Sequence, residues 1–222
     1  MRRCLRSQLR ALFGIWWMPL LPPVLGLLLG WEASAALGAY ARRFGAPEAR
    51  GALALVLEVR HFFPLAGAAW AAAFLGAEFD ARAPAFSLSR GFRRGQVFGS
   101  KLLLFFLGCA VCSLSAQLAA LSAVPGLRGL TAPYVLRCFL VRLLLDLGTA
   151  APCAAIDAFA GRSLYGRALT GLYGLLLWRL MSSHYGLWLA EAEPPGMLAL
   201  WPLGALPLSV AVYTLALRRA EF

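Results

Sequence analysis

Apolar residues fall into six long runs separated by short charged segments, at approximately 12–30, 62–77, 102–124, 135–159, 164–181 and 197–217. A hydrocarbon layer about 30 Å thick takes roughly 20 helical residues to cross, because each rises about 1.5 Å. All six runs approach that length, the second being short and preceded by an oblique lead-in over 53–59. In lipid an open strand leaves backbone polar groups unsatisfied, so the runs are expected to be helices. The pattern therefore predicts an all-α polytopic membrane protein with six transmembrane helices, forming one domain over 1–222.

Ahead of the first run, Leu5, Leu9, Leu12 and Phe13 recur at helical spacing while Arg2, Arg3, Arg6 and Arg10 take the other face. That describes a basic amphipathic helix over 1–11, lying at the membrane interface. A secretory signal is the alternative, since Ala33-Ser34-Ala35 resembles a cleavage site. The length of the run, Pro19, Pro22 and Pro23 within it, and the five runs that follow favour a retained segment. Two stretches outside the runs stand out: a long Ala-rich loop over 31–61, and 182–196, whose amphipathic and helix-breaking residues suggest interfacial or re-entrant helices.

The distribution of charge sets orientation. With both termini in the cytoplasm, the inner segments hold Arg2, Arg3, Arg6 and Arg10, then Arg82, Arg90, Arg93, Arg94 and Lys101, then Arg162 and Arg167, and finally Arg218 and Arg219. On the outer side, Arg42, Arg43, Arg50 and Arg60 are interspersed with Glu32, Glu48 and Glu58, so the positive-inside rule favours this topology. Composition agrees, because 61% of the 222 residues are hydrophobic and only 14% charged, more apolar surface than a soluble core could bury. The net charge of +11 would suggest nucleic acid in a soluble protein. Here the arginines sit in short inter-run segments with no basic face interleaved with stacking aromatics, and no nucleic-acid partner is expected.

The densest charge lies between the second and third runs, in GAEFDARAPAFSLSRGFRRGQVFGSK, residues 76–101. Glu78 and Phe79 close the second run, Ser89, Arg90 and Gly91 form a turn, Arg93 and Arg94 follow, and Lys101 opens the third run. This order resembles the cytoplasmic segment of type-2 ATP-binding-cassette (ABC) exporter permeases. The resemblance implies a membrane-spanning permease subunit of an ATP-driven exporter in a bacterial inner membrane. It also implies a coupling role for the 78–101 segment, an ABC ATPase as partner chain carrying ATP and Mg, and a second permease copy or paralogue. One position departs from the family, which carries Gly-Thr where this chain has Arg82-Ala83, followed by Pro84. Independently of the resemblance, a permease pushed by a soluble motor needs a stiff cytoplasmic element continuous with its membrane helices. Residues 89–101 run directly into the third helix, with arginines to pair with acidic groups.

No G-x-x-x-x-G-K-[ST] loop occurs, so no nucleotide cofactor is expected on this chain itself. Arg142 and Asp146 are four apart near the middle of the fourth run, hence on one face. Charge at that depth is expensive, which leaves two readings open: a cargo-pathway pair, or a permanent intrahelical pair that lowers insertion cost. Asp157 and Arg162 suggest a second, structural pair, and Pro152 a kink. Gly26 and Gly30 form a G-x-x-x-G spacing that could let two first helices meet as a dimer interface. Cys109 and Cys112 spell C-x-x-C, but in the middle of an apolar run they read as small residues of one helix face. His61 and His184 are too few and too isolated for a metal site, and none is expected. Two other classes of function remain: a non-transporting permease-like scaffold, and an intramembrane enzyme, for which no nucleophile and base pair stands out.

Overall fold

The computed structural model describes residues 2–58, 63–76, 91–126, 129–160, 167–179 and 196–219, and every regular element among them is helical. Helix α1 (Arg2–Gly14) is followed by a chain of tight turns over 15–20, in which Met18 N–H reaches Ile15 O at 3.0 Å and Leu20 N–H reaches Trp17 O at 3.1 Å. Helix α2 (Leu21–Phe44) opens with Pro22 and Pro23 in its first turn, where a missing N–H breaks no helical bond. It stops at Gly45, whose φ of 88° is left-handed and whose N–H closes on Ala41 O at 3.0 Å. Helix α3 (Ala49–Glu58) follows, then α4 (Phe63–Ala71), which widens into a π-helical turn over Ala72–Gly76. The long α5 (Arg94–Leu121) and α6 (Ala132–Ala160) come next, α6 continuing through Pro152. Residues 167–179 form α7, and α8 (Gly196–Arg219) ends the described chain.

Three of these helices are long and apolar enough to cross a membrane: α2, residues Gly95–Leu121 of α5, and residues Ala132–Ala158 of α6. The chain is thus a multi-pass membrane protein. The first span differs from the sequence expectation, running over 21–44 instead of 12–30, and the loop expected over 31–61 is helical at 31–44 and again at 49–58. Trp31 and Glu32 interrupt the apolar run but not the helix. Hydropathy drops there, whereas backbone hydrogen bonding continues through good helix formers to the breakers Gly45 and Pro47. The interfacial stretch expected over 182–196 lies, apart from Gly196, outside the described residues.

Packing pairs α2 with α5 and α6 with α8 over their greatest lengths, while α4 touches α2, α5 and α6. At the α4–α5 contact, Trp70 lies against Gly108, where a side chain would collide with its indole, and donates from Nε1 to Phe105 O at 3.1 Å. Gly174 of α7 sits against Ala68 and the Pro64 carbonyl of α4. One core gathers Phe63, Trp70, Phe74, Phe105, Cys109 and Tyr213, with Leu5, Leu9 and Leu12 of α1 packed on it. A second joins Ala33 and Leu37 of α2, Leu53 and Val56 of α3, Ala120 at the end of α5 and Val124 just beyond it.

The outside of the bundle is apolar. Leu103, Leu107, Val111, Leu114 and Leu118 form an exposed stripe along α5, matched by Leu136, Leu140, Val141 and Leu144 on α6 and by Leu169, Leu172, Leu175 and Leu176 on α7. In water each such side chain would forgo about 1.5–3 kcal/mol of burial, a sum no marginally stable fold tolerates; facing hydrocarbon it forgoes nothing. The inside, by contrast, holds Ser100, Lys101, Ser113, Gln117, Arg142, Asp146, Thr149, Asp157 and Thr170, all buried.

Candidate functional site

Asp146 is the centre of the buried polar side chains, 1% exposed and halfway along α6. Both its oxygens are engaged. Ser113 Oγ of α5 donates to Oδ2 at 2.6 Å, and Arg142, one turn earlier on α6, brings Nε to 2.9 Å from Oδ1. The guanidinium contact is an ion pair and not an aligned hydrogen bond. Gln117, one turn after Ser113, donates from Nε2 to the serine hydroxyl at 3.0 Å, so donors line up towards the carboxylate across two helices. Thr149 donates to the Asp146 carbonyl at 2.8 Å, and Tyr173 of α7 donates to the Thr149 carbonyl at 2.9 Å. The network ties α5, α6 and α7 together.

Helical spacing explains why this works. Ser113 and Gln117 are four apart on α5, and Arg142, Asp146 and Thr149 follow at four and three on α6, so each set shares one face. A carboxylate stripped of water costs several kcal/mol unless it is compensated, and here one cation lies against Oδ1 and one hydroxyl donates to Oδ2. Charge is balanced within the chain by the Arg142–Asp146 contact, and Ser113 carries the bond from α5 to α6.

The residues singled out in the sequence are distributed unevenly. Arg142 and Asp146 share one face of α6 and are in ion-pair contact, an arrangement that fits both readings of the pair. Gly26 and Gly30 are close-packing residues, but their partner is α5 of the same chain. A methyl group at Gly26 would strike the Cys112 carbonyl, and one at Gly30 the Ala119 side chain. The expected dimer interface at these glycines is therefore corrected: with α5 filling the groove, no second copy can enter it. Of the proposed coupling residues, Glu78, Phe79, Ser89 and Arg90 lie outside the described residues. Gly91 occupies an exposed turn with a left-handed φ of 80°, and Arg93 is exposed just before α5, where its N–H is accepted by Gln96 Oε1 at 3.3 Å. Arg94 is the first residue of α5. Lys101, two turns into α5, is buried at 2% exposure, where the sequence suggested an open cytoplasmic position.

Sequence reasoning missed Ser113, Gln117, Thr149 and Tyr173. A signal existed in the first pair, two polar residues one turn apart within an apolar run, yet nothing in the sequence tells which helix they face. It also missed Glu32, expected in a loop and found half-buried at the middle of α2. Cys109 and Cys112 are both buried in the core and form no disulfide. Among the described residues, no group of three His, Cys, Asp or Glu side chains is placed to hold a metal ion. Compared with known proteins, the chain matches no family model, no curated protein and no solved structure.

Proposed function

We propose that this chain is the permease subunit of an ATP-driven exporter of the type-2 ABC kind, crossing a bacterial inner membrane six times with both termini in the cytoplasm. In this reading α2, α4, α5, α6, α7 and α8 are the six crossings, and a separate ABC ATPase carrying ATP and Mg drives two permease chains. The observation that carries it is the course of α5. This helix begins beside the exposed Gly91–Arg93 turn, passes α1 at Ser100, and reaches Ser113 and Gln117 at the polar network without a break. At about 1.5 Å per residue its 28 residues extend roughly 40 Å, some 10 Å more than the hydrocarbon layer needs. A force applied at its outer turns is delivered to the contacts with α2 and α6. The test is copurification of an ATPase from native membranes, followed by reconstituted transport. Arg90→Glu should leave insertion and ATPase binding measurable while abolishing transport, and full transport by that variant would sink the coupling role.

One observation favours a second reading, a permease-like scaffold that does not transport: Asp146 is fully engaged within its own chain, as a static lock would be. Vesicles holding this chain as the only permease, together with its ATPase, separate the two. ATP-dependent cargo movement supports the exporter, and its absence alongside a stable complex supports the scaffold.

A further inference from the structure

Helix α1 has spent its apolar side on the protein. Leu5, Leu9 and Leu12 pack on the main core, Cys4 and Gln8 are buried, and Cys4 Sγ lies 3.5 Å from Ser100 Oγ of α5. On the opposite side Arg3, Arg6 and Arg10 are all exposed, and at about 100° per residue they fall within an arc of about 60°. Phe13, two turns after Arg6 on the edge of that arc, is 66% exposed. Trp16 and Trp17 in the following turns are 77% and 43% exposed. Along the chain the exposed apolar positions go on at Leu20, Val24, Leu27 and Trp31, three or four residues apart, the exposed stripe of the α2 span.

Water would satisfy the three guanidinium groups and leave the three rings stranded. Hydrocarbon would do the reverse. A headgroup layer satisfies both, because indole rings settle at that depth and arginine bonds phosphate oxygens through its planar fork. Continuity with the outward stripe of a membrane span identifies the occupant as the bilayer itself, and the positive charge selects anionic headgroups. We infer that α1 and the 15–20 turn form a binding site for anionic phospholipid headgroups, and that occupancy of this site holds α1 against α5. The inference requires only that the chain is membrane-embedded, and it stands or falls separately from the exporter reading.

Cys4 reports the docked state, since its thiol is covered only while α1 lies on α5. The full chain is placed in nanodiscs of phosphatidylcholine alone or mixed equally with phosphatidylglycerol, and maleimide labelling of Cys4 is followed by peptide mass spectrometry. Phosphatidylglycerol should slow labelling by about tenfold, an effect shrinking at high salt. The R3Q/R6Q/R10Q variant should lose that protection, and R3K/R6K/R10K should keep most of it. Inorganic phosphate added to the phosphatidylcholine discs at matched ionic strength should give no protection. Equal labelling in both lipids, protection by free phosphate, full protection in the Gln variant, or loss in the Gln and Lys variants alike would each overturn the assignment. Brominated-lipid quenching of tryptophan emission supplies a second measurement: it should fall in W16F/W17F, and unchanged quenching would remove the aromatic half of the site.

Discussion

Two faces of the same turns of α5 are held by opposite means. Towards α2, Cys112, Ala116 and Ala119 meet Gly26 and Gly30, and the helices approach because side chains are missing. Towards α6, Ser113 and Gln117 build a chain of donors onto Asp146. Lipid tails are as apolar as leucine, so neither contact draws on the hydrophobic drive that pairs helices in water. The seam with α2 relies on close dispersion contacts, and the junction with α6 on hydrogen bonds with no water to compete. The first should fail when volume is added and the second when a partner is removed.

The largest effect is expected at the junction. Asp146→Ala strands the Arg142 guanidinium in the bundle, at a cost of about 3–5 kcal/mol in the unfolding of the detergent-solubilised chain by SDS titration. Removing both charges as R142M/D146L should be much milder than D146A alone, because the pair's desolvation cost disappears with its attraction. A double variant as unstable as the single one would mean that the pair does more than balance its own charge. Gly30→Leu comes next. The added side chain drives into Ala119 and the Ala116 carbonyl, and overpacking of this kind costs about 1–3 kcal/mol in the same titration. If Gly30→Leu is neutral, the seam is looser than its geometry implies.

How far the sequence foretold these two contacts differs in an instructive way. The Gly26–Gly30 spacing and the Arg142–Asp146 spacing are both properties of one helix, and both were legible as close-packing and ion-pairing motifs. What each faces is a property of two helices, and local spacing does not contain it. Hence the glycine spacing fits a second copy as well as it fits α5, and nothing local marks Ser113 as the residue that donates to the carboxylate. The same limit governs the spans: α5 and α6 were placed well because long apolar runs coincide with their helices. The end of α2 was misplaced because Glu32 lowers hydropathy without breaking the backbone ladder, which only Gly45 and Pro47 do. Lys101 shows it again, since its neighbours in sequence are charged and do not reveal that the side chain itself is buried.

Within the junction the contributions should be graded by how much buried charge each bond supports. Ser113→Ala removes the hydroxyl at 2.6 Å from Asp146 Oδ2 and also the acceptor for Gln117, so two bonds to or through the carboxylate are lost. About 1–2 kcal/mol is expected, at the upper end of interhelical bonds in membranes. Tyr173→Phe keeps the ring volume and deletes one neutral bond to the Thr149 carbonyl, with no charge left exposed to hydrocarbon. About 0.5 kcal/mol is expected there. Measured side by side by SDS titration, the serine variant should unfold first. If the tyrosine variant is the weaker one, α7 is held to α6 chiefly by that hydroxyl, and the centre of the junction moves from the Asp146 carboxylate to the α6 backbone beside Pro152.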